Sequence, residues 1–397
     1  MKNISELPLI LKASLGWSKP RTELLSHLLC ALFAVRTVNL KVIANAIRSL
    51  ATEDSRYRQL QRFFTDFEFS YLQLGRFLLQ LFFSRDDSLY LTIDRTNWQL
   101  GKCNINILML GVAYKNVAIP ICWMLLNKKG NSNTQERIEL LNKASRIFSG
   151  YPIAGLLGDR EFIGQTWFRH LQKNRIAFYI RIKKNATIVT RKGNTSRVDS
   201  LFIRLKPNEA YYIDEAVQLT GVSVFLSALR LLDGELLIVA SSKPEKKSIE
   251  IYARRWEIET LFQCLKGRGF NLEDTHITDP NKIRKMVGVL AIAFCWAIKT
   301  GEWRCQQGEE IRIKKHGRPQ KSLFRHGLDL LQQVGLQVCH CLKRIHHCLK
   351  LLIIKPQAPR AIAYKFTPNK LASLNIHDPN QQRVSYFLYQ FYKYYLA

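Results

Sequence analysis

A chain of 397 residues with 47% hydrophobic content is long enough for two or three domains around a sizeable buried core. Sixty lysines and arginines against 31 acids leave a formal net charge of +29, a field that draws polyanions and makes nucleic acid the first partner to consider. The longest apolar run, Met286 to Ile298 between Lys285 and Lys299, is too short to span a bilayer and reads as a buried core helix.

The first seventeen residues lack a long apolar stretch with a small-residue cleavage site, so no secretory signal is expected and the chain is placed in the cytoplasm. Leu24, Leu25, Leu28, Leu29, Leu32 and Phe33 recur at helical spacing. A second periodic segment, Leu40 to Ile47, follows a break at Thr37–Asn39, and a third, Ser55 to Phe64, carries Arg56, Arg58 and Arg62. Such a trio suits either a helix-turn-helix reader of DNA or plain helical packing with solvated arginines.

From Ser88 the pattern turns to β. Leu89, Leu91 and Ile93 alternate with Tyr90, Thr92 and Asp94, which puts Asp94 at the end of a first strand; Ile105 to Tyr114 reads as a central strand. Thr134 to Phe148 is helical, with Glu136, Arg137 and Glu139 outward, and a short apolar run then ends in Gly158-Asp159-Arg160-Glu161-Phe162. Two acids at the carboxyl ends of two strands occupy the place where an open α/β sheet builds its site. Glu161 competes locally with Asp159, and Arg160 is the expected partner of either. Taken alone, Asp94 before Arg95, Thr96 and Asn97 reads better as a turn-forming residue.

Residues 162–198 hold nine Lys and Arg and no acid, a pattern that fits a phosphate track or a solvated face. Further strands follow over 199–242, with Asp233-Gly234 as a hairpin turn. The stretch 248–270 then places Tyr252, Arg255, Glu259 and Lys266 at roughly 0°, 300°, 340° and 320° on a helical wheel, one narrow stripe, with Glu257 at roughly 140° pointing elsewhere. One acid among a guanidinium, a phenol and an ammonium suits a phosphodiester held beside a metal ion. An i,i+4 pair on a solvated helix is the plainer account of Arg255 and Glu259. Lys299 to Leu330, acid-free from Ile311 to Leu328, reads as a basic loop, mobile and gripping DNA or simply solvated. Nine cysteines, an odd number, argue for reduced thiols. The group Cys339, His340, Cys341, His346, His347 and Cys348 lacks the paired spacing of a zinc site. Neither a phosphate loop nor an HExxH helix is present, so nucleotide hydrolysis is not indicated.

Tyr252, Arg255, Glu259 and Lys266, separated by two, three and six residues, reproduce the YREK signature of DDE transposases of the insertion-sequence-four family. LTIDRTNW and LLGDREF resemble the two aspartate boxes of the same family, and the resemblance covers roughly residues 20–345. It implies an α/β fold with a ribonuclease H-like catalytic core interrupted by a β-rich insertion, an N-terminal helical domain and a C-terminal helical region. The corresponding boundaries are 1–86 for the helical DNA-binding domain, 87–190 and 246–298 for the two parts of the core, 191–245 for the insertion and 299–355 for the basic helical region. The tyrosine-rich tail, 356–397, has no match in the family. The resemblance also implies cut-and-paste transposition, with Asp94, Asp159 and Glu259 as catalytic metal ligands and Tyr252, Arg255 and Lys266 on the substrate phosphate.

Three clustered carboxylates need cations between them, which implies Mg2+, two ions with Mn2+ as a substitute. The implied partners are double-stranded DNA, as terminal inverted repeats and as target, and a second copy of the chain on paired ends, in a nucleoid-associated prokaryotic setting without a membrane. The insertion contains no tryptophan, whereas relatives use aromatic residues, tryptophan among them, to hold a flipped base, so the hairpin step does not transfer. A nuclease of the same fold that cuts without joining, and a non-catalytic DNA-binding remnant, remain open as alternatives.

Overall fold

The computed structural model describes residues 6–315, 317–336 and 347–353. The chain opens with helices α1 (Glu6–Leu15), α2 (Lys19–Val35), α3 (Leu40–Ala46), α4 (Glu53–Asp66) and α5 (Tyr71–Gln80). Their ends are written in local chemistry. Arg36 turns left-handed (φ 55°) to close α2, and the Asn39 side chain accepts from the N–H of Lys41 and Val42 to start α3. The break therefore falls at Thr37–Asn39, as read. Of the three arginines on α4, Arg56 is consumed internally, donating to the carbonyls of Ala44 at 2.8 Å and Ala51 at 2.6 Å. Arg58 and Arg62 remain exposed.

The strands are β1 (Leu89–Leu100), β2 (Cys103–Tyr114) and β3 (Val117–Leu125), then β4 (Ile153–Gly158) and β5 (Phe178–Ile182), with α6 (Thr134–Ser145) and α7 (Gln165–Lys173) as crossovers. After β5 come β6 (Thr187–Val189), β7 (Thr195–Arg197), β8 (Ala210–Leu219), β9 (Val222–Arg230) and β10 (Leu236–Ser241). All ten lie in one sheet of order β3-β2-β1-β4-β5-β10-β9-β8-β6-β7. The first three are antiparallel, β4 runs parallel to β1 and β5 parallel to β4. β10 returns antiparallel to β5, so the β-rich stretch expected over 191–245 extends the same sheet and begins earlier, with β6. The expected turn at Asp233-Gly234 (φ 85°) joins β9 to β10.

Several expectations need correction. β1 runs on to Leu100 against β2, so Asp94 lies within the strand and not at its end. β3 has no counterpart in the sequence reading; Pro120 masks it and is tolerated because β3 is an edge strand whose register shifts opposite Leu110/Gly111. Arg137, expected outward, is buried, with Nε on the Ser132 hydroxyl at 2.9 Å and its guanidinium over the Phe162 ring.

The chain continues through α8 (Ser248–Ala253) and α9 (Trp256–Leu265) to the long α10 (Pro280–Gln306) and α11 (Leu323–Leu336). Met286 to Ile298 is buried throughout α10, as expected. The segment read as a basic loop from Lys299 is helical to Gln306 and again from Leu323, leaving 307–322 between. Arg312, Lys314 and Lys315 are exposed there, whereas Lys321 and Arg325 pair with Asp329. α10 and α11 cross backbone to backbone: a Cβ on Gly301 would strike the Leu323 carbonyl, and one on Gly327 the Ala297 carbonyl. One apolar core runs from Leu7 to Leu352, and Phe33 of α2 packs edge-on against Trp296 of α10 at 5.3 Å, so the N-terminal helices share that core with the sheet. No single helix among the described residues is long and apolar enough to cross a membrane. Of the cysteine–histidine group only His347 and Cys348 are described; His347 stacks on Trp303 and Cys348 is buried. The other four, and the tail 356–397, lie outside the described residues.

Candidate active site

Three segments meet where β1 and β4 part. The parallel ladder between them ends at Ile93↔Gly158, so Asp94 and Asp159 are the next residue on each chain. Glu259 comes to the same place on α9. The expected continuous stripe over 252–266 is not one helix: α8 stops at Ala253, Arg254 and Arg255 form a turn, and α9 starts at Trp256. Arg255 thus stands at the head of α9, one turn before Glu259.

The buried guanidinium of Arg255 is the hub. It donates from Nη2 to Glu259 Oε1 at 2.6 Å, from Nη1 to Asp94 Oδ2 at 3.2 Å and from Nε to the Tyr252 hydroxyl at 3.1 Å. Asp94 Oδ1 also accepts the N–H of Arg95 at 2.7 Å. Asp159 is half-buried and makes no side-chain hydrogen bond or ion pair among the described residues. Its charge is nevertheless felt at Asp94, Tyr252 and Arg255.

The electrostatics follow from burial. Loss of water pushes the Asp94 carboxyl up to about 7 against the opposing pull of Arg255 and the Arg95 N–H, and Glu259 and Asp159 push in the same direction as burial. Burial alone would lower the Arg255 pKa; Tyr252, Glu259, Asp94 and Asp159 together hold it well above its ordinary value. Tyr252 is 1% exposed, and burial pushes its phenol up to about 12, so it stays neutral and accepts from Arg255. Its hydroxyl faces the guanidinium, where it accepts from Nε. Lys266, which ends α9 outside helical geometry, is held apart from the acids: its ammonium meets Glu273 at 2.6 Å and lies over the Trp98 ring.

Glu257 points away, as read, and is buried; desolvation raises its pKa to about 7 against Arg254 and the N–H groups of Tyr114 and Asn116. Glu161 does not pair with Arg160. Arg95 takes it instead, with Nε 2.9 Å from both carboxylate oxygens. Sequence reading missed this pair, although its signal is present: an arginine directly after the first acid and a glutamate two residues after the second.

Hard oxygen donors of the kind a divalent ion prefers therefore converge here, and their chemistry fits one. In the arrangement seen, the guanidinium takes the place between Asp94 and Glu259, and among the described residues no three acid, histidine or cysteine side chains are grouped as a metal cluster.

Residues 92–296 match the family described as transposase DDE domain. No curated protein matches. Among solved structures, piggyBac transposase in a synaptic complex with hairpin DNA is similar over 90% of this chain and 84% of that one, at 12% identity and a TM-score of 0.43, a likeness too distant to bear on the site.

Proposed function

Since the chain belongs to the transposase DDE domain family, we propose that it is a cut-and-paste DNA transposase in which Asp94, Asp159 and Glu259 are the catalytic acids of cleavage and strand transfer. The observation that carries this reading is that Arg255 bridges Asp94 on β1 and Glu259 on α9 where the β1–β4 ladder ends, with Asp159 the next residue after β4. A ribonuclease H-like core is supported by the order β3-β2-β1-β4-β5, three antiparallel strands followed by two parallel ones.

Asp94, Asp159 and Glu259 would hold Mg2+, two ions in this reading with Mn2+ as a substitute, which would supply electrophilic activation of the phosphodiester and neutralise developing charge. The chain's own groups do the rest. Arg255 neutralises Asp94 and Glu259, and its planar fork is also the group suited to a phosphate oxygen. Tyr252 orients that fork through Nε, and Lys266 supplies a point charge beside the β1–β2 hairpin for the flanking backbone.

Double-stranded DNA, as inverted-repeat ends and as target, is the partner this field of +29 fits, and two copies of the chain would hold paired ends. The exposed Arg58 and Arg62 on α4, and Arg312, Lys314 and Lys315 beyond α10, support DNA contacts by these five side chains, within the N-terminal helical domain (1–86) and the basic region (299–355) of this reading. The core is assigned to 87–190 and 246–298, interrupted by 191–245.

Pre-cleaved ends from the DNA flanking the gene test the assignment. Incubated with the chain, Mg2+ and a supercoiled plasmid, they are expected to appear covalently joined to the plasmid. Nicking with no joined product would reduce the protein to a nuclease, and end binding with neither would reduce it to a DNA-binding remnant.

A further inference from the structure

The backbone ladder stops one residue short of the two aspartates. Beyond it β1 stays on β2, whereas the chain after Gly158 turns, the Phe162 N–H donating to the Asp159 carbonyl at 2.8 Å. No backbone bond therefore sets the separation of Asp94 from Asp159. A side-chain brace crosses the gap instead. Arg95 Nε reaches both Glu161 oxygens at 2.9 Å, its Nη1 reaches Asn106 Oδ1 on β2 at 2.9 Å, and its Nη2 reaches Asn131 Oδ1 before α6 at 3.0 Å. Glu161 Oε1 is held from the other side by the N–H and the hydroxyl of Ser132, at 2.9 and 2.7 Å. Both partners of the brace are largely buried, each side chain 13% exposed.

Neighbours along a strand point to opposite faces, so Arg95 leaves from the side of β1 opposite Asp94 and the brace stays behind the acids. We infer that Arg95 and Glu161 are positioning residues whose ion pair fixes the spacing of Asp94 and Asp159 where the ladder ends. The inference rests on those aspartates being the catalytic pair. Nε shared between both carboxylate oxygens, with Nη1 and Nη2 fixed on Asn106 and Asn131, restrains the guanidinium in distance and orientation together. A misplacement of about 1 Å in such a site can cost roughly a hundredfold in rate.

Glu161→Gln and Arg95→Lys test it on a plasmid carrying the DNA that flanks the gene. Both are expected to bind end DNA within about twofold of the unmodified chain and to melt within a few degrees of it. Their single-turnover nicking rate at saturating DNA should fall about ten- to a hundredfold, with a raised Mn2+ requirement. Glu302→Gln is the structural comparator. It disturbs a buried carboxylate that holds Tyr114, Lys115 and Lys299, and should lower melting while leaving the nicking rate unchanged. Folded brace variants that nick at the normal rate and metal requirement overturn the inference, as does failure of both to fold, which would make the brace purely structural. Asp94→Asn and Asp159→Asn assayed alongside separate the two ideas: if these still nick, the reading of the acids fails; if they do not and the brace variants do, the brace alone falls.

Discussion

Asp159→Asn, Asp94→Asn and Glu259→Gln should each reduce DNA cutting by at least about a thousandfold while end binding persists, measured as nicking of a flanking-DNA plasmid beside a gel-shift assay. Each amide keeps the shape of its acid and removes one negative oxygen donor, so the loss falls on the chemistry and not on docking. Asp159 is the cleanest of the three, because no ion pair among the described residues depends on it. Asp94 carries a second, opposite signature. Its carboxyl is raised to about 7 from an ordinary 3.8, so its contribution to stability is fully present below the lower value and is lost as pH rises through the upper one. Asp94→Asn should therefore melt higher relative to the unmodified chain at pH 8 than at pH 5, even as cutting disappears. Retained cutting in any one variant removes that residue from the site.

Arg255→Ala should be the most destabilising change at the site. It leaves Asp94 and Glu259 without the buried cation they share, and removing one partner of a buried pair costs about 3–5 kcal/mol. The deficit has a pH signature. Without Arg255 the Asp94 carboxyl is raised further, so the variant takes up protons that the unmodified chain does not, and its deficit should shrink as pH falls from 8 to 5. Mn2+ added without DNA should recover part of the lost melting temperature in the variant and change the unmodified chain little. Equal melting at pH 8, or a deficit that grows on acidification, would show that Arg255 does not neutralise these acids.

What the sequence made legible, and what it hid, divides along contact distance. Asp94 and Asp159 were readable as acids tied to two strands because alternation and short apolar runs are local signals, whereas the pairing of those strands was not readable. Arg255 and Glu259 were readable as an i,i+4 pair, and the pair survives because both sit within one turn of the start of α9. The helical wheel failed on either side of them. The turn at Arg254–Arg255 redirects Tyr252 into a small core with Leu157, Tyr179 and Val239, and the non-helical Lys266 is drawn to Glu273 and Trp98. Asp94 was placed at a strand end because apolar alternation stops there. The strand continues only because β2 supplies a partner as far as Cys103.

The same blindness to distant partners explains the buried charges. Arg137 looked like the outer face of α6, and Glu302 fell in a stretch read as a basic loop; Ser132 and Phe162 claim the first, and Tyr114, Lys115 and Lys299 the second. Arg95 and Glu161 lie 66 residues apart, so Arg160, the neighbour in sequence, looked the better partner.

The most direct measurement is the anomalous scattering of manganese in crystals of the chain bound to DNA from its flanking ends. Peaks bounded by Asp94, Asp159 and Glu259, with the Arg255 guanidinium withdrawn from between Asp94 and Glu259, are the predicted result. Arg255 still bridging the two acids over a bound end, or manganese and the scissile phosphate lodged elsewhere, would contradict it.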